Sequence, residues 1–209
     1  MNSYKVTWNT WNKIAHLYQD KFMDLALYND TYNKFLKQLN LKYSSVLDVG
    51  CGPGNISSYL FSQRPDLNIT AIDVAPNMIT LARQHNPYAD CFVLKASEIS
   101  TLNTCFNGII AGFVLPYLSL SDCITFFKDC KHILSPTGVL YFSFVEGPTE
   151  RSGFQTGKTG DQMFFYYHNL ETLLLELEKL EFKLISVDYV TYHLPADKEE
   201  IHTVVIAQK

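Results

Sequence analysis

This sequence offers no framework for disulfides or for structural zinc. Its five cysteines are an odd number, they are scattered, and no C-x-x-C pair occurs, so we expect reduced thiols, as in the cytoplasm. Apolar runs stay well short of the roughly 20 residues that a membrane-spanning helix needs. The amino terminus lacks the basic segment and apolar block of a secretory signal. These absences predict a soluble, cytoplasmic chain with no membrane partner and no metal site.

Positive charge is also scarce. No run is rich in lysine or arginine, and the net charge is −4, whereas a nucleic-acid-binding surface is expected to be basic. The apolar content of 47% and the charged content of 18% are those of a globular protein. A chain of 209 residues can bury a core as one domain. We therefore expect a single domain over residues 1–209 that binds no nucleic acid, in an oligomeric state that its composition does not reveal.

The central feature of the sequence is the stretch V-L-D-V-G-C-G-P-G-N at residues 46–55. A short apolar run predicts a buried strand, the glycines predict a tight turn, and apolar residues follow at helical spacing over 56–62. Glycine tolerates positive φ and has no Cβ, so a ligand can lie against the backbone at Gly50, Gly52 and Gly54. The turn also opens a helix amino terminus, where free N–H groups favour an electron-rich group.

Two kinds of nucleotide-binding fold use such a turn, and the spacing distinguishes them. The dinucleotide pattern G-x-G-x-x-G would put its third glycine at position 55, but this chain has Asn55 there and Gly54 one residue earlier. Asp48 precedes the first glycine by two residues, where a carboxylate would point at the ligand and pair with an ammonium group. Nicotinamide dinucleotides carry no such ammonium group, so a nicotinamide-dependent oxidoreductase is the less favoured alternative.

The D-x-G-x-G-x-G pattern at residues 48–54 resembles the first motif of the class I S-adenosylmethionine-dependent methyltransferases. This resemblance implies an α/β fold with a Rossmann-like, seven-stranded, mostly parallel sheet, helices on both faces and a final antiparallel hairpin. It also implies S-adenosylmethionine as cofactor, an amino-terminal helical cover over 1–43 and a core over 44–209. We expect the strands at 46–49, 68–73, 90–94, 106–113, 139–145, 183–192 and 202–207.

Further positions complete the cofactor site that the resemblance implies. Asp73 ends the second strand about 20 residues beyond the glycines, the separation at which a carboxylate meets ribose hydroxyls. Met78, in the family's second motif, packs on the adenine or in the core. Residues 95–98 stand where members of this family usually carry G-D-A. Ser97 or the backbone beside it would therefore bind the adenine instead. The predicted cofactor-binding residues are Asp48, Gly50, Cys51, Gly52, Gly54, Asn55, Asp73, Val74, Met78, Ala96, Ser97, Gly112 and Phe113.

Two helices are expected ahead of the sheet, over residues 7–41, and most of their apolar side chains serve to cover it. The pattern W-N-x-x-A-x-x-Y at 11–18 resembles the amino-terminal lid of many small-molecule methyltransferases. In that lid the tyrosine closes over the cofactor or the acceptor. The resemblance therefore assigns a lid role to Tyr18, and also to Trp11.

The acceptor side is predicted beyond the fourth and fifth strands. Tyr117 stands where many family members carry histidine, and His168 and Glu146 are candidate bases if the acceptor must lose a proton. The polar, glycine-rich stretch 147–160 is expected to be a long loop that forms a flap over the acceptor. The predicted catalytic residues are Tyr18, Tyr117 and His168.

The predicted function is methyl transfer from S-adenosylmethionine to a small-molecule acceptor. The many aromatic residues leave two acceptor classes open, an apolar or aromatic molecule and a cationic amine. A second alternative is a cofactor-binding protein that does not catalyse and acts as a sensor or partner, because such motifs indicate binding rather than turnover.

Overall fold

The computed structural model describes residues 3–157, 159–194 and 198–209. The helices are Ser3–Lys13 (α1), Ala15–Phe22 (α2), Asn29–Leu36 (α3), Asn55–Gln63 (α4), Pro76–His85 (α5), Leu120–Ile133 (α6) and Leu170–Lys179 (α7). The strands are Ser45–Val49 (β1), Asn68–Asp73 (β2), Asp90–Val93 (β3), Phe106–Ala111 (β4), Leu134–Val145 (β5), Gly153–Thr156 (β6), Gln162–Phe165 (β7), Lys183–Leu194 (β8) and Lys198–Gln208 (β9). Short 3-10 helices lie at Ala26–Tyr28, Ala96–Leu102, Leu115–Tyr117 and Thr149–Arg151.

Seven of these strands form one sheet in the order β3-β2-β1-β4-β5-β9-β8. Strands β1 to β5 run parallel, whereas β9 pairs antiparallel with both β5 and β8. The predicted Rossmann-like fold and its antiparallel final hairpin are thus confirmed. The strand order reverses between β1 and β4, and open α/β sheets bind ligands at the carboxyl ends of the strands beside such a point.

Both faces of the sheet are buried beneath helices. Along β5, successive side chains point to opposite faces, so Phe142 packs against Phe127 of α6, while Tyr141 packs against Phe35 of α3. All four of these aromatic side chains are at most 1% exposed. The apolar runs that predicted the strands therefore supply a core on each side of the sheet.

The amino-terminal cover differs from the prediction of two helices over 7–41. Three helices, α1 to α3, are present, and a 3-10 turn at Ala26–Tyr28 separates the last two. The first helix begins earlier than expected, and α1 and α2 are separated only at Ile14. The apolar stripes were correctly recognised, but periodicity alone does not show where a helical stretch is broken.

The predicted long loop over 147–160 is wrong. Strand β6 lies within this stretch and pairs antiparallel with β7, so that Gly153 lies opposite Phe165. The resulting hairpin docks on α1, where the Thr10 hydroxyl donates to the Gln162 carbonyl at 2.5 Å and the Phe164 N–H donates to the Thr7 hydroxyl at 2.9 Å. This tertiary contact with α1 orders a stretch whose composition alone indicates a loop.

Smaller differences concern the strand ends. Strand β5 begins at Leu134 and not at 139, with a bulge over 135–138, because Leu134 pairs with Phe106 and the next register pair is Val139 with Gly108. The last two strands are longer than expected, at 183–194 and 198–208. Strand β4 ends at Ala111, so Gly112 and Phe113 lie just beyond it. Among the described residues, no helix is long and apolar enough to cross a membrane.

Candidate active site

A cavity of about 440 Å³ opens at the carboxyl edge of the sheet, between the strand ends and helices α1 and α2. This volume lies in the range of small-molecule sites, about 300–1,000 Å³. The cavity has a glycine end, lined by Gly50, Cys51, Gly52, Asn55, Asp73, Val74, Met78, Ala96 and Ser97. We call its aromatic lining residues the aromatic end: Trp8, Trp11, Tyr18, Phe22, Tyr28, Phe113, Tyr117 and Tyr192. Tyr18 adjoins Gly52 and Trp8 adjoins Lys95, so the two ends meet there. The predicted Gly112 also lines the cavity. Three predicted site residues do not line it: Asp48, Gly54 and His168.

The backbone of the glycine turn forms one wall of the cavity. Gly50 and Gly52 have φ values of +64° and +54°, which side chains other than glycine rarely adopt. A Cβ at Gly52 would meet only the ring of Tyr18, at 3.5 Å, whereas a Cβ at Gly50 would lie 2.7 Å from Val114. The turn is held to the sheet by the Cys51 N–H, which donates to the Ile72 carbonyl at 2.9 Å. The chain thereby presents bare backbone to a ligand at Gly52.

Asp73, the last residue of β2, joins this turn to the next one. Its carboxylate accepts the Gly52 N–H at 3.0 Å and the Ala75 N–H at 2.8 Å, and the residue is 9% exposed. Burial raises the pKa of Asp73 to about 6, although the backbone hydrogen bonds oppose that shift. A carboxylate has about four lone-pair sites, so Asp73 can still accept hydrogen bonds from hydroxyl groups of a ligand.

Asp48 does not point into the cavity, contrary to the prediction. It is completely buried beneath the glycine turn, where it accepts a hydrogen bond from the Ser57 hydroxyl at 2.7 Å. Its other oxygen, Oδ1, has no hydrogen-bond partner among the described residues. Burial raises the pKa of Asp48 to about 7. The strand places this side chain on a buried face, which the spacing of the motif does not reveal.

Gly54, the third glycine of the motif, faces α5 instead of the cavity. Its φ is +89°, and a Cβ there would overlap the side-chain nitrogen of Asn86 and approach the Ala82 Cα at 3.2 Å. That Asn86 nitrogen donates to the Gly54 carbonyl at 3.0 Å. The predicted ligand contact is therefore corrected: Gly54 allows α4 and α5 to pack closely.

The region around Met78 and Ala96 extends the glycine end with apolar surface. Met78 is 2% exposed and packs with Ala75 and Leu81, while still lining the cavity. The carboxylate of Glu98 lies 2.9 Å from the Lys95 ammonium group and closes a capping box at the start of the 3-10 helix. Glu98 is therefore an acid at the start of a helical turn.

The rings of Tyr18 and Tyr117 meet at Trp11. Their centroids lie 5.4 and 5.3 Å from that of Trp11, both edge to face, which is the favourable geometry for aromatic pairs. Tyr18 also lies 4.6 Å from Phe22, and Tyr117 lies 5.8 Å from Phe165 of the hairpin. Burial raises the pKa of both tyrosines above the ordinary range, so both phenols are neutral at physiological pH.

His168 lies outside the cavity and is corrected from a candidate base to a structural residue. It is 4% exposed, and its Nε2–H donates to the Leu115 carbonyl at 2.9 Å. Burial lowers its pKa. Glu146, the other candidate base, accepts the Leu170 N–H at 3.2 Å at the start of α7 and does not line the cavity. Both residues connect the end of β5 to neighbouring elements.

A second polar cluster lies in the cavity wall, and no motif in the sequence predicts it. The Tyr28 hydroxyl lies 2.5 Å from His202 Nδ1, although the two residues are 174 positions apart. His202 Nε2 lies 2.8 Å from a carboxylate oxygen of Glu200. Only the register of β9 in the sheet brings these residues together, so no spacing pattern in the sequence predicts their contact.

Among the residues that the structure describes, no group of three or more His, Cys, Asp or Glu side chains is arranged to hold a metal ion. The polar side chains that line the cavity are instead two carboxylates, two lysines, one asparagine, several hydroxyls and phenols, and one imidazole: Asp73, Asp122, Lys21, Lys95, Asn55, Thr7, Ser97, Thr125, Tyr4, Tyr18, Tyr28, Tyr32, Tyr117, Tyr192 and His202. Such a set can bind a hydroxyl-bearing ligand and can surround a cation with aromatic faces.

Comparison with known proteins agrees with this geometry. Residues 46–138 match the family model of a methyltransferase domain. Over 118 residues the chain is 39% identical to the malonyl-[acyl-carrier protein] O-methyltransferase of Acetivibrio thermocellus, covering 53% of this chain and 40% of that protein. Over 121 residues it is 28% identical to a tRNA N(3)-methylcytidine methyltransferase of Schizosaccharomyces pombe, covering 54% of this chain and 49% of that protein. The chain thus spans about half or less of the length of these curated relatives.

A solved structure extends the likeness over almost the whole chain. It is the 1,6-didemethyltoxoflavin-N1-methyltransferase of Burkholderia thailandensis, crystallised with 1,6-didemethyltoxoflavin and S-adenosylhomocysteine. The TM-score is 0.73 at 19% identity, and the match covers 98% of this chain and 88% of that chain. At this identity the likeness shows a shared fold.

Proposed function

We propose that this chain, which belongs to the class I S-adenosylmethionine-dependent methyltransferases, transfers the methyl group of its cofactor S-adenosylmethionine to a small-molecule acceptor. The observation that supports this most directly is the cavity itself, which joins a glycine turn and a buried carboxylate at one end to a wall of aromatic rings at the other. We also propose that the protein acts in the cytoplasm, since all five cysteines are free thiols.

The residues at the glycine end suit this cofactor chemically. Asp73 would accept hydrogen bonds from the ribose hydroxyls, because two backbone N–H groups already fix its carboxylate at the cavity wall. Met78 and Ala96 would hold the adenine against apolar surface. Gly52 would let the rest of the cofactor approach the backbone, since a side chain there would extend toward Tyr18 across the cavity.

When bound, S-adenosylmethionine supplies an activated methyl group on a positively charged sulfonium. The aromatic faces of Tyr18 and Phe113 would stabilise that charge, as aromatic rings do for other cations. Both tyrosines at Trp11 remain neutral, so that Tyr18 and Tyr117 would position an acceptor through hydrogen bonds and not as anions. The protein would therefore contribute mainly alignment of the acceptor and exclusion of water.

The amino-terminal helices would act as the lid over this reaction. Tyr18 of α2 lies against Gly52, and Trp11 of α1 connects it to Tyr117. Helix α1 is anchored in turn to the β6–β7 hairpin by the buried hydroxyls of Thr7 and Thr10. We infer that the helices and the hairpin close and open together, because they share these hydrogen bonds.

A small-molecule acceptor is favoured over a nucleic acid. The net charge of −4 and the cover of α1 over the cavity argue against binding a polyanion. Among the relatives, the toxoflavin methyltransferase is named for a small acceptor and the yeast enzyme for tRNA. Transfer RNA is accordingly the alternative that the experiment must include.

A methyl-transfer screen tests the proposal. Purified protein is incubated with methyl-tritiated S-adenosylmethionine and with separate pools of phenols, amines, carboxylic acids, a malonyl-carrier protein and tRNA. We expect label to enter a small-molecule pool, and to fall at least about tenfold in an Asp73→Ala variant at limiting cofactor, since charge-assisted hydrogen bonds contribute roughly 1.5–3 kcal/mol. Label in tRNA or carrier protein alone would overturn the proposal of a small-molecule acceptor. Label in none of the pools would overturn the proposal that the protein catalyses methyl transfer.

A further inference from the structure

Three side chains form a continuous hydrogen-bonded chain in the wall of the aromatic end. The Tyr28 hydroxyl lies 2.5 Å from His202 Nδ1, and His202 Nε2 lies 2.8 Å from the Glu200 carboxylate. Tyr28 and His202 both line the cavity and are 7% and 6% exposed. Glu200 lies behind them with a side chain that is 29% exposed. The methyl-transfer scheme above uses none of the three.

For an ionised Glu200 and a neutral His202, the hydrogen bonds among these three side chains run in one direction. An ionised carboxylate can only accept, so Nε2 of His202 carries the proton that is donated to Glu200. Nδ1 then has a free lone pair and accepts the hydroxyl proton of Tyr28. The Tyr28 oxygen keeps its own lone pairs for a proton from elsewhere. A hydroxyl bonded to a base, which a third group orients, is the arrangement that activates hydroxyls in many enzymes.

These three hydrogen-bonded side chains lie on the acceptor side of the cavity. His202 of β9 is paired with Val145 of β5, and its ring centroid lies 4.6 Å from that of Phe113, two residues past β4. The glycine turn and Asp73 belong to β1 and β2, on the other side of β4 in the strand order. A base at this position would take a proton from the molecule that receives the methyl group, and not from the ribose of the cofactor.

We propose that Tyr28, His202 and Glu200 form a general-base relay that takes the proton of a phenolic hydroxyl acceptor; this rests on the proposed function. The acceptor O–H bond breaks and its proton passes to the Tyr28 oxygen, while the Tyr28 proton passes to Nδ1 of His202. The acceptor oxygen bonds to the methyl carbon as the carbon–sulfur bond breaks, with its electron pair remaining on sulfur. Glu200 stabilises the imidazolium, which then releases its proton to water.

A phenol fits this relay better than other hydroxyl compounds. A phenol has a reference pKa of about 10 and is protonated at neutral pH, so its oxygen needs a base before it attacks, whereas a carboxylic acid is already ionised and needs none. The rings of Trp11, Phe22 and Phe113 provide flat apolar surface for an aromatic acceptor.

Two phenols of different acidity distinguish a role of these residues in proton removal from a role in packing alone. At mildly alkaline pH, 4-nitrophenol is already ionised and needs no base, whereas 4-methylphenol is protonated. We expect Tyr28→Phe and His202→Asn to lower turnover of 4-methylphenol by about 10²-fold or more, and turnover of 4-nitrophenol by less than about threefold. Equal losses on both phenols would overturn the relay, because a structural role does not depend on acceptor ionisation.

Matched controls come from the same hairpin. Tyr189→Phe changes a tyrosine that is 62% exposed, and His193→Asn changes an exposed histidine 3.3 Å from Glu199. Neither residue lines the cavity, and we expect wild-type turnover of both phenols. If wild-type protein methylates amines or acids but no phenol, the relay is wrong and the proposed function stands; if it methylates nothing, the proposed function fails.

Nitrogen-15 NMR provides a readout that is independent of turnover. We expect the His202 ring, assigned by its loss in His202→Asn, to carry its proton on Nε2 and none on Nδ1. Glu200→Gln should shift the Nε2–H resonance, while calorimetry with S-adenosylhomocysteine should give wild-type affinity for Tyr28→Phe. A proton on Nδ1 in the resting protein would overturn the relay, whatever the kinetics.

Discussion

The glycine end and the aromatic end of the cavity differ in how far apart along the chain their residues lie. The turn at 50–54 and Asp73 belong to adjacent strands, and backbone N–H groups connect them directly. The aromatic end combines helices α1 and α2, the segment after β4 and the final hairpin. Its polar members, Tyr28 and His202, are separated by 174 positions.

This difference indicates which part of the site is set by local chain geometry. At the glycine end, positive φ values and strand ends determine the shape, and few side chains contribute. At the aromatic end, ring packing across distant elements determines it, so that any one ring depends on the others. We therefore expect substitutions at the glycine end to act through backbone strain or charge, and those at the aromatic end to act through positioning.

A large effect should distinguish two glycines of the same turn. Gly54→Ala should lower the free energy of unfolding by about 3 kcal/mol, because left-handed backbone costs about 1–2 kcal/mol for alanine and overpacking against Ala82 and Asn86 adds about 1–3 kcal/mol. Gly52→Ala should lose only the backbone part, since its Cβ has room. Urea unfolding of both variants measures this, and equal losses would contradict the assignment of Gly54 to packing.

The next effect concerns the charge at the glycine end. Asp73→Ala should weaken binding of S-adenosylhomocysteine about tenfold or more, because charge-assisted hydrogen bonds contribute roughly 1.5–3 kcal/mol. The exposed Asp90, at the start of β3, provides the matched Asp90→Ala control. Calorimetry on both variants is the measurement. Wild-type affinity in folded Asp73→Ala would remove this carboxylate from the binding site.

Asp48 should make stability depend on pH. Burial raises its pKa to about 7 in the folded state, whereas an unfolded aspartate has a pKa of about 3.9. Between these values the folded state holds a proton that the unfolded state has lost, so stability falls as pH rises, by up to about 1.4 kcal/mol per pH unit. In Asp48→Asn this contribution is absent. The free energy of unfolding of the variant minus that of the wild type should therefore increase from about pH 4 to 7 and stay constant above pH 7.

Urea unfolding of both proteins at several pH values checks that sign. If the free energy of unfolding of Asp48→Asn minus that of the wild type stays constant or falls from pH 4 to 7, Asp48 is ionised over this range in the folded state. A partner for its free Oδ1 oxygen would then have to be sought.

The smallest effect tests how the lid is held. Thr10→Val keeps the side-chain volume and removes the hydrogen bond from α1 to the Gln162 carbonyl, which should cost about 1 kcal/mol. Amide hydrogen exchange over residues 8–20 should become faster, and binding of S-adenosylhomocysteine should slow it in the wild type while the central strands change little. Thr80→Val, exposed on α5, is the control.

The opposite pattern would contradict the lid. If exchange over 8–20 is slow with and without ligand, and Tyr18→Ala loses stability before it loses turnover, α1 and α2 form a permanent cover. Tyr18 would then be a core residue that happens to line the cavity.

The same contrast explains what could be predicted from sequence. The bounds of β2 were predicted correctly, because an apolar run marks them locally. Asp48 and Gly54 match the motif, but their side-chain directions depend on β1 and α5 packing. The stretch 147–160 forms half of a hairpin because α1 and β7 lie beside it. His202 has no local signal at all, since strand register alone brings it to Tyr28.

The central claim is that the glycine end binds S-adenosylmethionine, and calorimetry with its product tests it most directly. We expect one S-adenosylhomocysteine per chain and no detectable binding of NAD. Gly52→Val should abolish binding, because a branched side chain would fill the space between the turn and Tyr18, whereas Gly153→Val, at a position with nothing within 4 Å of its Cβ, should bind normally. Circular dichroism establishes that each variant is folded. Wild-type affinity in folded Gly52→Val, or displacement of S-adenosylhomocysteine by NAD, would contradict the account.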